Sequence, residues 1–340
     1  MSTHTASTRP SGSPEYSSRT LIIDAITRYL QTKRALGCRF NTEERSLHLF
    51  ARFLTERRVA YADQVTDDCV DRFLASRPRL QPRSFNQLLG CVRRLFEWLV
   101  DQNEIAVSPV RTPARRETSR RLPYLFERET LRELIRLAEH LPDWSRCPQR
   151  GPTQATIFAL LATLGLRIGE VSRLTCGDVD LEQETLLIRN SKFGKSRLVP
   201  FGPRLADRLR AYLALREQRL GPARPDAPLF SWHGREPVHP NSIRRAFRDH
   251  LLPQLALTIP PGTSQPCVHG LRHSFAVSSL LRWYREGLDP AARLNHLSTF
   301  LGHVNPRSTA VYLTITSELL TAANARFEAY VTSLCREVRP

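Results

Sequence analysis

Two short motifs carry the residues best suited to chemistry: His269-Gly-Leu-Arg-His-Ser-Phe275 and Leu301-Gly-His-Val-Asn-Pro-Arg-Ser-Thr-Ala-Val-Tyr-Leu313. Together they supply His269, Arg272, His303 and Tyr312. These types suit phosphoryl transfer. A guanidinium clamps a phosphate with a planar fork of donors. An imidazole donates to a phosphoryl oxygen or moves a proton. A phenol becomes a covalent carrier once it attacks phosphorus. Arg167 follows the nearly all-apolar stretch Ala155 to Leu164, and a basic side chain emerging beside a buried helix needs an anion. Glu170, at helical spacing, or a bound phosphate would meet that need. Of fifty basic residues only three are lysines, Lys33, Lys192 and Lys195. Arginine is too basic to give up a proton near neutrality and lysine is not, so the pair Lys192 and Lys195 in one segment hints at proton chemistry.

The elements that position these residues are mostly helical. Apolar residues recur at the helical period from Leu21 to Leu30, from Leu47 to Leu54, from Val70 to Leu74, and from Phe85 to Leu99. Asn41-Thr-Glu-Glu44 reads as a capping-box start, a third helix starts near Thr66, and a fourth follows Pro82. Four helices with short joins predict a small N-terminal bundle over residues 19–105. Residues 1–18, rich in Ser, Thr, Pro and Gly, are expected to form a disordered tail. Residues 106–123 read as a basic linker, with five arginines against one glutamate.

A second domain is expected over residues 124–340. Its predicted helices cover 127–140, 155–164, 205–220, 241–252, a helix carrying His269, 294–301 ending at Gly302, 308–313 holding Tyr312, and an amphipathic 319–334. Trp144 to Pro152 reads as an insertion-like loop. Residues 178–201 predict a β-hairpin whose tip, Asn190 to Ser196, carries both lysines, and Leu229-Phe-Ser predicts a further short strand. The fold class is therefore mainly α with a small β-sheet in the second domain. Within it, His273 is expected to point away from the site and support the fold.

A formal net charge of +17 points to nucleic acid as partner and makes binding steeply salt-dependent. Candidate contacts to a phosphate backbone are Arg83, Arg93 and Arg94 in the bundle, Arg115 and Arg116 in the linker, Lys195 in the hairpin, and Arg244 and Arg245 in a later helix. No apolar run reaches the length of a membrane span and no signal-peptide core is visible, so a cytoplasmic protein with no membrane partner is expected. The seven cysteines are scattered, with no pair at metal-ligand spacing, and read as reduced thiols. No metal site is expected.

The ordered set Arg167, Lys192, His269, Arg272, His303 and Tyr312 resembles the catalytic signature of the tyrosine site-specific recombinases, the phage-integrase family, in its Xer-like and transposon-encoded integrase branch. The resemblance runs from roughly residue 20 to 335. It implies a helical core-binding domain followed by an α+β catalytic domain. It implies cleavage of DNA by Tyr312 through a 3′-phosphotyrosine, with no ATP, metal or other cofactor. It makes Lys192 the general acid, with Lys195 as runner-up, and gives His269 to Tyr312 as a base. It also implies double-stranded DNA clamped between the domains, a homo-tetramer on paired recombination sites, and room for accessory proteins. Two other readings stay open: DNA relaxation of the type IB topoisomerase kind, and a non-catalytic DNA-binding protein on the same fold.

Overall fold

A computed structural model describes residues 19–38, 40–117, 121–190, 195–302, 307–314 and 321. Lys192, His303, the expected tail 1–18 and all of the expected helix 319–334 except Thr321 lie outside the described residues. The chain divides into two compact units, one up to residue 120 and one from residue 121.

The first unit holds α1 (Ile22–Ala35), α2 (Asn41–Thr55), α3 (Asp67–Ala75) and α4 (Pro82–Asp101). Each buries one apolar stripe. Phe50 sits in the middle of this core, its ring centroid 4.9 Å from Phe73 and 6.0 Å from Phe96 in edge-to-face contacts. The starts differ in kind. Thr66 caps α3 by accepting from the Cys69 amide at 3.3 Å, and Pro82 opens α4, where a missing N–H costs nothing. At α2 the expected capping box is absent. Phe40 is the cap residue, in the left-handed region at φ 49°, and makes no side-chain cap bond.

The segment after α4 is packed rather than free. Asn86 pairs with the Arg115 backbone through two hydrogen bonds of 2.8 Å, and the Arg115 guanidinium lies 3.8 Å over the Phe85 ring. Arg93 donates to the Thr112 carbonyl at 2.7 Å.

The second unit is built around α6 (Arg150–Leu164), of whose fifteen residues thirteen are buried. It begins earlier than its apolar run. The Asp143 carboxylate accepts from the amides of Gln149 and Arg150, both at 2.9 Å, and so draws the expected loop into the helix. Packed with it are α5 (Arg128–Glu139), α7 (Ile168–Ser172), α8 (Pro203–Leu220) and α9 (Pro240–Arg245). The chain after α9 continues as one π-helical stretch, Ala246–Leu251, where a regular helix was expected. Three antiparallel strands, β1 (Val179–Asp180), β2 (Thr185–Ile188) and β3 (Arg197–Pro200), pair in sequence order with Ile188 opposite Arg197. The strand expected at Leu229-Phe-Ser does not form. Pro228 has no amide to donate, and the segment makes an isolated bridge to Thr175 with single backbone bonds from Leu229 to the Leu174 carbonyl and from Val238 to the Phe230 carbonyl, both 2.8 Å, instead of a continuous ladder.

Among the described residues three further helices follow: α10 (Val268–Arg285), α11 (Pro290–Leu301) and α12 (Arg307–Ala310), the last running into a 3₁₀ turn, Val311–Thr314. A small apolar cluster of Ala276, Val277, Leu280, Leu297, Leu301 and Tyr312 joins α10 to α11 and the 3₁₀ turn. Buried Ser298 donates to Thr309 at 2.7 Å and ties α11 to α12. Among the described residues no helix is long and apolar enough to cross a membrane.

Gly165 ends α6 at φ 59°, and a Cβ there would stand 2.6 Å from Phe275 Cδ1. Phe275 has little freedom to retreat, since it stacks on Phe300 at 5.4 Å. Gly165→Ala is expected to destabilise the unit by about 2–4 kcal/mol, from the left-handed Cβ and the overpacking together. The check is the denaturant midpoint of the second unit's transition, and an unchanged midpoint would contradict this packing.

Candidate active site

Arg272 is the largest fully buried side chain of the unit, 1 % exposed, and it lies in the first turn-and-a-half of α10. Its Nη1 donates to the Gly165 carbonyl at 2.7 Å and its Nη2 to the Leu301 carbonyl at 2.6 Å. Both acceptors are helix C-terminal carbonyls, which lack partners within their own helices and carry the negative end of the helix dipole. Burial, then the charge of Arg167, pushes the Arg272 guanidinium down to about 10, still well above neutrality.

Two more arginines use the same helix end. Arg167 is the residue before α7 and donates from Nη2 to the Gly302 carbonyl at 2.8 Å. Arg197, the first residue of β3, donates from Nε to the Phe300 carbonyl at 2.8 Å. Three consecutive carbonyls at the end of α11 thus accept from three arginines that come from three different elements. Glu170 joins two of them. It accepts from Arg167 Nη1 at 2.7 Å and from both terminal nitrogens of Arg197 at 3.1 Å. Burial pushes the Glu170 carboxyl up, but hydrogen bonding and charge from Arg197, then from Arg167, more than offset this and hold it below the usual carboxylate range.

The nucleophile candidate sits beside this cluster. Tyr312 is 4 % exposed, with its ring in the small apolar cluster. Burial pushes its phenol up, against the pull of Arg272 and Arg167. Its hydroxyl lies 2.8 Å from His273 Nδ1. This corrects the expectation that His273 points away from the site. Helical spacing puts His269, Arg272 and His273 on one face of α10, and His269 meets His273 edge-on at 4.6 Å between ring centroids. Burial, then the neighbouring His269 and Arg272, lowers His273 to about 4, so its ring is neutral at physiological pH. His269 opens to solvent on one side. The protein around its ring, then Arg272 and Arg167, holds it below the ordinary histidine value.

Outside this centre, Arg244 and Arg173 line a depression of about 350 Å³ together with Arg167 and His269. Arg245 and Lys195 are exposed on the second unit, and Arg83, Arg94 and Arg116 on the first. Arg93 and Arg115 are held by the contacts described above. The arrangement therefore brings together Arg167, His269, Arg272, Tyr312 and Arg244 of the expected residues. It adds Arg197, Arg173 and His273, which the sequence reading left outside the site. Among the described residues no group of three or more histidine, cysteine or acidic side chains could hold a metal ion.

This centre lies within the stretch that matches a protein-family model, described as phage integrase family, over residues 129–318. A putative integrase/recombinase, y4rB of Sinorhizobium fredii, is 33 % identical over 305 residues, covering 89 % of this chain and 96 % of that protein. The chain belongs to the phage integrase family. It is a DNA recombinase of the tyrosine class, a family that includes the tyrosine recombinase XerC of Bacillus pumilus, 26 % identical over 307 residues with 88 % and 93 % of the two chains covered. The fold is shared with the Tn1549 transposon integrase, solved in complex with a circular intermediate DNA, at a TM-score of 0.63 and 16 % identity over 92 % of this chain and all of that one. Helices with a small antiparallel sheet are the fold this chain shares with that integrase.

Glu170→Gln tests the carboxylate's place in the recombinase site. Breaking a buried pair by removing one partner costs about 3–5 kcal/mol. The wild-type contribution is fully present above the ordinary glutamate pKa and is lost as pH falls through the lowered folded value. The variant is therefore expected to be less stable at neutral pH and to show a shallower loss of stability below about pH 4.5. Equal stability at pH 7 in denaturant titrations would contradict the bridge.

Proposed function

We propose that this recombinase is a site-specific recombinase or integrase that cuts and rejoins double-stranded DNA through Tyr312. One observation carries the reading: Arg167 and Arg272 converge on the same helix end beside a buried tyrosine. Three guanidiniums and one carboxylate leave a formal surplus of positive charge in a site that is largely shielded from water. A phosphodiester is the anion whose oxygens match two such forks.

In the proposed step Tyr312 gives its hydroxyl proton to His269 as base, and its oxygen bonds to phosphorus as the bond from phosphorus to the 5′-oxygen breaks. The product is a 3′-phosphotyrosine and a free 5′-hydroxyl. Arg167 and Arg272 meet the charge that gathers on the non-bridging oxygens, with His269 and His303 as further donors. Lys192 gives its proton to the leaving 5′-oxygen, with Lys195 as the alternative donor. A 5′-hydroxyl of the partner strand reverses the step, so the bond energy is kept and no ATP is required. Metal is not required either, since fixed cations and donors take its place at phosphorus.

The rest of the chain fits a DNA partner. The net charge is +17. Exposed arginines Arg83, Arg94, Arg116, Arg244 and Arg245 are available to phosphates, and the first unit serves as the core-binding domain. Exchange between two duplexes cuts four strands, so four tyrosines and a homo-tetramer on paired sites follow, with accessory proteins where the site is complex. Such work belongs in the cytoplasm.

Nicked duplexes from the DNA flanking the gene should give a covalent protein–DNA band on a denaturing gel. Tyr312→Phe is expected to remove the band completely. A band that persists in this variant would place the nucleophile on another residue.

A further inference from the structure

The Tyr312 hydroxyl has to be aimed at phosphorus as well as relieved of its proton. In the tertiary structure that hydroxyl lies 2.8 Å from Nδ1 of His273, with the two ring centroids 5.5 Å apart. His273 is itself braced. The edge-on His269 ring is 4.6 Å away on the same helix face, and the preceding residue, Arg272, is anchored to the carbonyls of Gly165 and Leu301. An imidazole fixed in this way has few orientations left, and a hydrogen bond to it fixes the phenol in turn.

We propose that His273 is the positioning residue for the nucleophile: Nδ1 accepts the Tyr312 hydroxyl proton as a hydrogen bond and holds the phenol oxygen beside the arginine cluster. This rests on the reading of Tyr312 as the nucleophile. The Nε2 nitrogen then carries the ring proton. Orientation, rather than removal of the proton, is the role that fits the chemistry. The imidazole is neutral and far less basic than a phenolate, while the buried phenol holds its proton more tightly than usual. A proton transferred to Nδ1 in the resting site would return. What the bond does supply is aim. Tyr312 lies on a short 3₁₀ turn, and a ring in an apolar cluster is fixed by packing only in its plane, whereas in-line attack requires the oxygen to be placed. An error of about 1 Å in that placement costs on the order of 10²-fold in rate.

The test compares three variants on a nicked duplex, drawn from the sequence flanking the gene, on which the wild-type chain forms its covalent adduct. Adduct rate and duplex affinity are both measured. His273→Phe keeps an aromatic ring against His269 and Tyr312 but has no acceptor. Its adduct rate is expected to fall about 10²-fold with affinity within about twofold of wild type. His273→Asn carries a carbonyl oxygen near the place of Nδ1 and is expected to keep the rate within about threefold, since a neutral acceptor there suffices. Tyr312→Phe is the third. A wild-type rate in His273→Phe, with Tyr312→Phe inactive, would overturn the positioning role and leave the nucleophile reading intact. A rate in His273→Asn as low as in His273→Phe would also overturn it, because the imidazole itself would then be required. An adduct in Tyr312→Phe would overturn both.

Discussion

The C-terminal end of α11 is the point on which the site depends. A helix leaves its last carbonyls without internal partners and gathers negative potential there. Here the carbonyls of Phe300, Leu301 and Gly302 accept from Arg197, Arg272 and Arg167. Each arginine belongs to a different element: β3, α10 and the entry to α7. One helix end therefore sets the distances among three cations that are far apart in sequence. Gly302 makes this possible. It turns the chain at φ 68°, and a Cβ there would lie 2.7 Å from Arg197 Nη1.

Such a cluster is a poor way to gain stability. Replacing buried ion pairs by apolar residues is commonly neutral or stabilising by about 1–4 kcal/mol. Three guanidiniums around one carboxylate fare worse than a balanced pair, because Glu170 can neutralise only part of their charge. The arrangement makes sense as a preorganised seat for an anion, in which the cost of gathering positive charge has been met during folding. The α6 core, with nearly every residue buried, and the stacked Phe275 and Phe300 provide the rigidity that holds it.

Much of this was legible in the sequence, for identifiable reasons. The apolar run from Ala155 to Leu164 announced α6, alternation announced the hairpin, and Gly302 announced the end of α11. Arg167 was readable because it stands beside an apolar run that a charge should avoid, and Arg272 because it sits between two histidines in one short motif. Arg197 was not, since periodicity gives the strand but not the carbonyl its side chain reaches across a hundred residues. His273 was readable in principle. It stands four residues after His269 and so shares its helix face, but whether Tyr312 would meet that face depended on the turn after α12. The strand expected at Leu229 failed on the chemistry of Pro228, and the early start of α6 depended on Asp143, seven residues upstream of Arg150.

The central claim is that the arginine cluster seats the scissile phosphate. The most direct measurement is a cycle that combines Arg167→Ala with a methylphosphonate at the scissile position, which removes the charge of one non-bridging oxygen. Adduct rates are read for both proteins on both duplexes. If Arg167 meets that oxygen, the two changes share one interaction, and the loss in the double combination is much smaller than the product of the single losses. Losses that simply multiply would mean that Arg167 and the phosphate do not interact, and the account of the site would fail.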